Sequence, residues 1–201
     1  MDPVALFSLF PGWRILVPTT PFDYIGLFNA AMKMKSPIVI VEYHQFYNEK
    51  GLIPEGNPDH TIKIGKAIVR NVGSDVTVLS YGSALNLALE ASNQLANENI
   101  SIEVIDLRSL DDASIDYATI GESLKKTGAL VTVEEAQRCN SIGHKLVSTC
   151  ELRWFDFLDG PSSSVNAPDI PLSVSRRMEL FCLPSVEQAV SMIRKSARRE
   201  L

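Results

Sequence analysis

The chain has 201 residues, 45% of them hydrophobic and 21% charged, with a formal charge of −5 at pH 7. A globular chain of this size buries roughly two thirds of its unfolded surface, and the acidic balance offers no basic face to displace counterions from phosphates, which sets nucleic acid aside as a partner. No segment approaches the roughly 18 consecutive apolar residues needed to cross a bilayer, so no membrane partner is expected.

Met1-Asp2-Pro3-Val4 has no basic region leading into an apolar run, so no targeting leader is read there. Arg14 to Val17 and Pro37 to Tyr43 are short β-branched runs, and Phe22 to Lys35 between them places Phe22, Ile25, Leu27, Phe28, Ala31 and Met32 at helical spacing. Ser36-Pro37 closes that helix, because the residue before proline is pushed out of the α region. A crossover this long joins parallel strands. From His44 to Thr61 the chain is polar and broken by Gly51, Pro54, Gly56 and Pro58, which reads as an interdomain connection. Ile64 to Arg70 and Asp75 to Gly82 then form two short apolar strands leading into an amphipathic helix, and mark the start of a second domain.

The second part alternates strand Val76 to Ser80, helix Ala84 to Asn97, strand Ser101 to Leu107, a helix near Tyr117 to Lys126, strand Ala129 to Glu134 and helix Ser141 to Glu151. Strand Val165 to Ala167 and a helix from Ser185 to Arg198, with Ser185 as N-cap, complete it. Such alternation predicts an α/β fold in three αβα layers around a largely parallel sheet. The basic run Arg194 to Arg199 complements the dipole of the last helix.

Chemistry-bearing residues are sparse. Cys139, Cys150 and Cys182 are widely spaced and lack a Cys-x-x-Cys pair, so neither disulfides nor a zinc site is expected, and a reducing compartment fits best. His44, His60 and His144 stand in no metal-binding spacing. Ser80-Tyr81-Gly82-Ser83 lacks the glycine pattern of a nucleophile elbow, so Ser83 reads as the start of a helix rather than as a triad partner of His144. Glu42 and His44 follow a strand end, where open α/β sheets place ligand contacts. Glu134 and Glu135 end another strand; as neighbours they face opposite ways, one of them free to cap the following turn or meet a partner.

The ordered pattern as a whole resembles the β subunits of thiamine-diphosphate-dependent 2-oxoacid dehydrogenases, those acting on pyruvate, branched-chain 2-oxoacids or acetoin. The resemblance is carried by Phe10-Pro11-Gly12-Trp13, Phe22-Asp23-Tyr24-Ile25-Gly26-Leu27, Ser36 to Glu42, Ile62-Lys63-Ile64-Gly65-Lys66-Ala67, Glu103 to Leu110, Val131 to Glu135, Phe157 to Pro161 and Pro168 to Pro171. It implies that residues 1–58 are the end of a pyrimidine-binding domain plus linker, and residues 59–201 a transketolase-type C-terminal domain. The chain then reads as the back part of a larger subunit.

The resemblance further implies a heterotetramer with an α subunit and a second β subunit, bound to a dihydrolipoyl acyltransferase core that carries the lipoyl group. Thiamine diphosphate with Mg²⁺ would belong to the full complex, with the diphosphate held by the α partner. The activating glutamate and a histidine of the family are expected ahead of Met1, so no catalytic or cofactor-binding residue is assigned in this chain, and the isolated chain is expected to be inactive. Its direct role would be assembly and docking. A structural K⁺ site of some relatives would fall on Ala31, Met32, Met34 and Ser36, where the expected Asp and Asn are replaced by Met34 and Ser36; a hard cation prefers oxygen ligands, which makes the site degenerate. Asp159 and the terminal carboxylate on Leu201 match the patch that docks the acyltransferase. Compartments consistent with the family are the bacterial cytoplasm or, in a eukaryote, the mitochondrial or plastid matrix. Two other readings stay open: the end of a transketolase or deoxyxylulose-phosphate synthase, and a stand-alone, non-catalytic interaction module.

Overall fold

Two short β-branched runs build the first unit around a small sheet. The computed structural model describes residues 2–171 and 173–200. After a single-turn helix α1 (Val4–Ser8), strands β1 (Arg14–Leu16) and β2 (Ile38–Ile40) pair in parallel, Ile15 opposite Val39, with helix α2 (Pro21–Ala31) crossing between them. Thr20 caps α2 by accepting the Asp23 N–H at 3.1 Å, and Pro21 takes the first helical position, where its missing N–H costs nothing. The helix ends at Ala31 rather than at Lys35. Its last turn tightens, with Lys33 N donating to Ala30 O and Met34 N to Ala31 O, as the chain swings out ahead of Pro37.

The stretch from His44 to Thr61, expected as a connection without structure, is tied down. It opens with a 3₁₀ turn (His44–Phe46), and Asn29 on α2 donates to the carbonyls of Pro58 and His60 while Ile62 N donates to Gly26 O. One helix face thus satisfies backbone groups of a segment with no ladder of its own.

The second unit is a five-stranded sheet: β3 (Ile68–Asn71), β4 (Val76–Ser80), β5 (Ile102–Asp106), β6 (Leu130–Gln137) and β7 (Ser163–Ala167), in the order β3-β5-β4-β6-β7. All neighbours are parallel except β3, an antiparallel edge against β5. Every residue of β4 and β5 is buried, as central strands covered on both faces must be. Helices α3 (Ala84–Ala96) and α7 (Val186–Ala197) cover one face, packing Ala88, Leu95, Ala189 and Ile193 on Val76, Val78 and Val104. Helices α4 (Tyr117–Thr127) and α5 (Ile142–Trp154) cover the other, packing Ile120, Leu124 and Leu146 on Leu79 and Ile105. This is the three-layer arrangement expected from the alternation. Ser185 and Gln188 form a complete capping box at α7, and Gly128 closes α4 in the left-handed conformation. A further short helix, α6 (Arg176–Phe181), was not expected from periodicity.

The two units share a core. Val17 N donates to Arg108 O at 2.8 Å, Leu110 N donates to Ile15 O at 2.9 Å, and Leu16 bridges Ser109, so β1 is stitched to the segment after β5. Behind this seam Ile15, Val17 and Val41 join Leu79, Ile105 and Leu107 in one apolar cluster. Gly82, at the end of β4, lets the Tyr43 ring of the first unit lie on its backbone: its φ is +56°, and a Cβ there would overlap the ring. Gly82→Ala is therefore expected to lower the unfolding free energy by about 2 to 4 kcal/mol, from the left-handed backbone and the displaced ring together. Urea denaturation measures it, and a change below about 0.5 kcal/mol, the scale of neutral surface substitutions, would mean that Tyr43 does not depend on the missing Cβ.

Candidate functional site

Four charged side chains meet beneath the seam. Asp23 comes from the first turn of α2, Arg70 from β3, Asp106 from the end of β5, and Arg108 from the turn after it, where its φ of +55° is unusual for a side-chain-bearing residue. Arg70 donates from Nη2 and Nε to Asp106 Oδ2 at 2.8 and 3.2 Å and also pairs with Asp23 Oδ2. Arg108 donates from Nη1 to Asp23 Oδ1 at 3.1 Å and from Nη2 to the Lys66 carbonyl at 2.7 Å. Thr19 donates to Asp106 Oδ2 at 2.6 Å and Thr20 to Asp23 Oδ2 at 2.7 Å. Asp23 and Asp106 are 1% and 0% exposed, so neither can be solvated instead.

Burial works against the ionised Asp23, but the Thr20 hydroxyl and the two guanidiniums outweigh it and hold this carboxyl below the usual range. Burial pushes Asp106 up against the pull of Thr19 and Arg70, and among the described residues its Oδ1 has no hydrogen-bond partner. Arg70 and Arg108 line a cavity of about 860 Å³, yet their charge is already matched by two carboxylates. The network is suited to clamping the units together rather than to binding an anion.

A second polar cluster occupies the carboxyl ends of β4 and β6. Glu134 accepts hydrogen bonds from Tyr81 OH at 2.9 Å, Gly143 N at 2.9 Å, Asn166 Nδ2 at 2.8 Å, and the Ser141 hydroxyl. It caps the start of α5, one of the two roles open to this acidic pair. Burial pushes its carboxyl up, and these donors oppose the rise. Glu135 points the other way, half-buried, raised by burial and by the charge of Asp2. With its lone pairs engaged by four donors, Glu134 is a lock on α5 and not an available base.

The remaining sequence candidates disperse. His144 pairs through Nε2 with Ser164 Oγ at 2.7 Å and not with Ser83, which is buried at the head of α3. The His60 ring lies on Phe22, 4.7 Å between centroids. Glu42 and His44 are exposed just beyond β2; Glu42 accepts from Tyr47 OH at 2.9 Å, and His44 packs on the same ring. At the degenerate cation site, Ala31 O accepts Met34 N, Met32 is exposed, and Ser36 Oγ is buried without a partner among the described residues. Met34 offers a soft thioether where a hard cation needs oxygen, so this set does not fit K⁺. Among the described residues no group of three or more His, Cys, Asp or Glu is placed to hold a metal, and no helix is long and apolar enough to cross a membrane. Asp159 is exposed and pairs with Arg199 Nη2 at 2.7 Å, while its N–H donates to Gly128 O. Leu201, the other docking candidate, lies outside the described residues.

Residues 65–188, more than half of the chain, match the family model of the transketolase C-terminal domain. The chain belongs to this family. Similarity extends past the transketolase C-terminal domain into the first unit: a pyruvate dehydrogenase E1 component subunit beta of Rhizobium meliloti (strain 1021) is 33% identical over 190 residues, covering 94% of this chain and 41% of that protein. The acetoin:2,6-dichlorophenolindophenol oxidoreductase subunit beta of Bacillus subtilis (strain 168) is 37% identical over 188 residues, covering 94% of this chain and 54% of that protein. The chain thus spans about half the length of these relatives. A solved split gene transketolase, an inactive beta4 tetramer, superposes with a TM-score of 0.77 at 22% identity, over 98% of this chain and 62% of that one, which establishes the shared fold.

Sequence reading missed the Asp23–Arg70–Asp106–Arg108 network. Its one available signal was an aspartate ending a β-branched strand of the sheet, Ile102 to Asp106, since a charge at a position covered on both faces needs a partner. A carboxyl held below its unfolded pKa, as Asp23 is, contributes stability that is complete above about pH 4 and lost as pH falls through the folded value. Asp23→Asn should therefore cost about 3 to 5 kcal/mol at neutral pH, by leaving Arg70 and Arg108 undercompensated, and the deficit should shrink as the wild type is acidified below about pH 4. Urea unfolding across pH measures both; a deficit independent of pH would show that the charge of Asp23 is not what stabilises the seam.

Proposed function

We propose that this chain is part of the β subunit of a thiamine-diphosphate-dependent 2-oxoacid or acetoin dehydrogenase, and that its direct job is assembly. The observation that carries this reading is the 33–37% identity to such β subunits over 94% of the chain, which runs through both units and their seam rather than stopping at the C-terminal domain. In the proposed complex a 2-oxoacid is decarboxylated, or acetoin cleaved, and the acyl group passes to a lipoyl group on an acyltransferase. Thiamine diphosphate with Mg²⁺ would supply the carbanion-stabilising chemistry. No residue of this chain is assigned to the cofactor, and the buried carboxylates of Asp23, Asp106 and Glu134 are committed to the seam and to α5.

The surface supports an assembling role. Leu152 and Phe155 at the end of α5, Leu180 and Phe181 on α6, and Met32 after α2 are each more than 60% exposed. Large apolar side chains left exposed at these helix ends fit partner surfaces, here those of an α subunit and a second β subunit. Light scattering of the purified chain is expected to show self-association, reduced by the pair Leu152→Glu and Phe155→Glu with the circular dichroism unchanged. Co-expression with an α-type subunit should yield a co-eluting complex; a monomer that captures no α subunit would end the assembly reading.

Asp159 fits docking to a basic face of the acyltransferase, provided that the incoming cation replaces Arg199. Such a contact steers association and weakens with salt. Asp159→Ala is expected to weaken binding to the acyltransferase's subunit-binding domain about tenfold at low salt, the scale of one charge-assisted contact, and to leave the fold intact. Unchanged affinity in surface plasmon resonance would leave Asp159 as a turn residue held by Arg199.

A further inference from the structure

The carboxyl ends of β1 and β2 open into a cavity of about 380 Å³ that the assembly reading does not use. Its construction is local. Pro18 and Pro21 bend the chain between β1 and α2, so that the first turn of α2 presents Tyr24 to one wall. The 3₁₀ turn after β2 folds Phe46 and Tyr47 back beside Tyr43, with the Tyr43 and Phe46 rings 6.0 Å apart and inclined at 50°. Four aromatic side chains therefore line one small space.

Two carboxyls, Glu42 and Glu49, line it as well, and no lysine, arginine or histidine does. Among the described residues neither glutamate has a basic partner within 4 Å. Tyr47 OH donates to Glu42 Oε2 at 2.9 Å and holds that carboxylate against the phenol ring. The charge of the same carboxylate holds the Tyr24 and Tyr47 phenols above their ordinary pKa, and both rings line the cavity with it. His44 packs on Tyr47 with centroids 5.1 Å apart, and so supports that ring.

This combination selects its ligand by charge. Aromatic faces carry negative quadrupole potential and attract a cation that has shed part of its water. Two uncompensated carboxylates strengthen that field and repel anions. A hard metal ion would need six or more oxygens converging at 2.0–2.6 Å, which phenyl and phenol faces cannot supply. A neutral apolar ligand would gain nothing from the carboxylates.

We infer that this cavity is a binding site for a small organic ammonium ion, enclosed by Tyr24, Tyr43, Phe46 and Tyr47 and charge-matched by Glu42 and Glu49. Every residue that forms the site belongs to the first unit and the turn that follows it, and none is among the exposed apolar side chains assigned to assembly.

Calorimetric titration of the purified chain with choline, and with its uncharged isostere in which carbon replaces the quaternary nitrogen, tests the site. Choline should bind saturably and the isostere at least about tenfold more weakly, within the range of a partly desolvated cation–π contact. Tyr47→Leu should weaken choline binding about tenfold, and Glu42→Gln about threefold or more. Both side chains are exposed, so thermal melting should be unchanged; Glu49→Gln, which touches no described hydrogen bond, gives a second variant with the same expectation as Glu42→Gln. Equal binding of choline and its isostere, no choline binding, or choline binding indifferent to all three substitutions would each overturn the assignment.

Discussion

Two buried aspartates and two arginines that no single unit could accommodate alone are the constraint on which this molecule depends. Asp106 ends a central strand at zero exposure, and Asp23 sits in the first turn of a helix from the other unit. Removing either carboxylate from water is unfavourable by several kcal/mol unless a cation and hydrogen-bond donors replace the lost hydration. Arg70 supplies both carboxylates at once, and Arg108 ties Asp23 to the Lys66 carbonyl. The β1 seam and the shared apolar cluster lie directly beside this network, so electrostatics and packing select the same relative placement of the units. The left-handed turn at Arg108 is part of that solution, because it both aims the guanidinium and presents the Arg108 carbonyl to Val17.

The same logic separates the residues that hold the fold from those that remain available. Glu134 is surrounded by donors and caps α5; Thr77 meets Ser123 and Thr127 between β4 and α4. These polar groups are satisfied and inaccessible. Glu42, Glu49 and Asp159 lie on the outside, and among the described residues only Asp159 has a cationic partner, which is itself part exposed. Chemistry directed outward must therefore come from strand ends and surface turns, as in other open α/β sheets.

Similarity to dehydrogenase β subunits and to transketolase bears on different levels of this protein. The transketolase match at 22% identity speaks for the arrangement of strands and helices. The 33–37% identity to β subunits spans the first unit as well, where the seam residues Asp23 and Thr19 reside. Fold alone does not carry function, and the proposed role in assembly draws on that longer similarity and on apolar side chains left without cover at α5 and α6.

Sequence by itself determined the alternation of strands and helices, the three layers and the cap at Ser185, because hydrophobic periodicity and capping are local properties. It also marked strand ends at Glu42 and Glu134 as chemically interesting positions. It overextended α2, whose last turn is decided by how the chain leaves toward Pro37, and it missed the order in the stretch after His44, which depends on Asn29 reaching carbonyls some thirty positions away. Tertiary structure alone decided which charges meet. Asp23 and Arg108 are separated by 85 positions, and nothing in local periodicity records such a distance. Pairing at that range is selected by the free energy of burying charge, a term that exists only once the chain has folded around it.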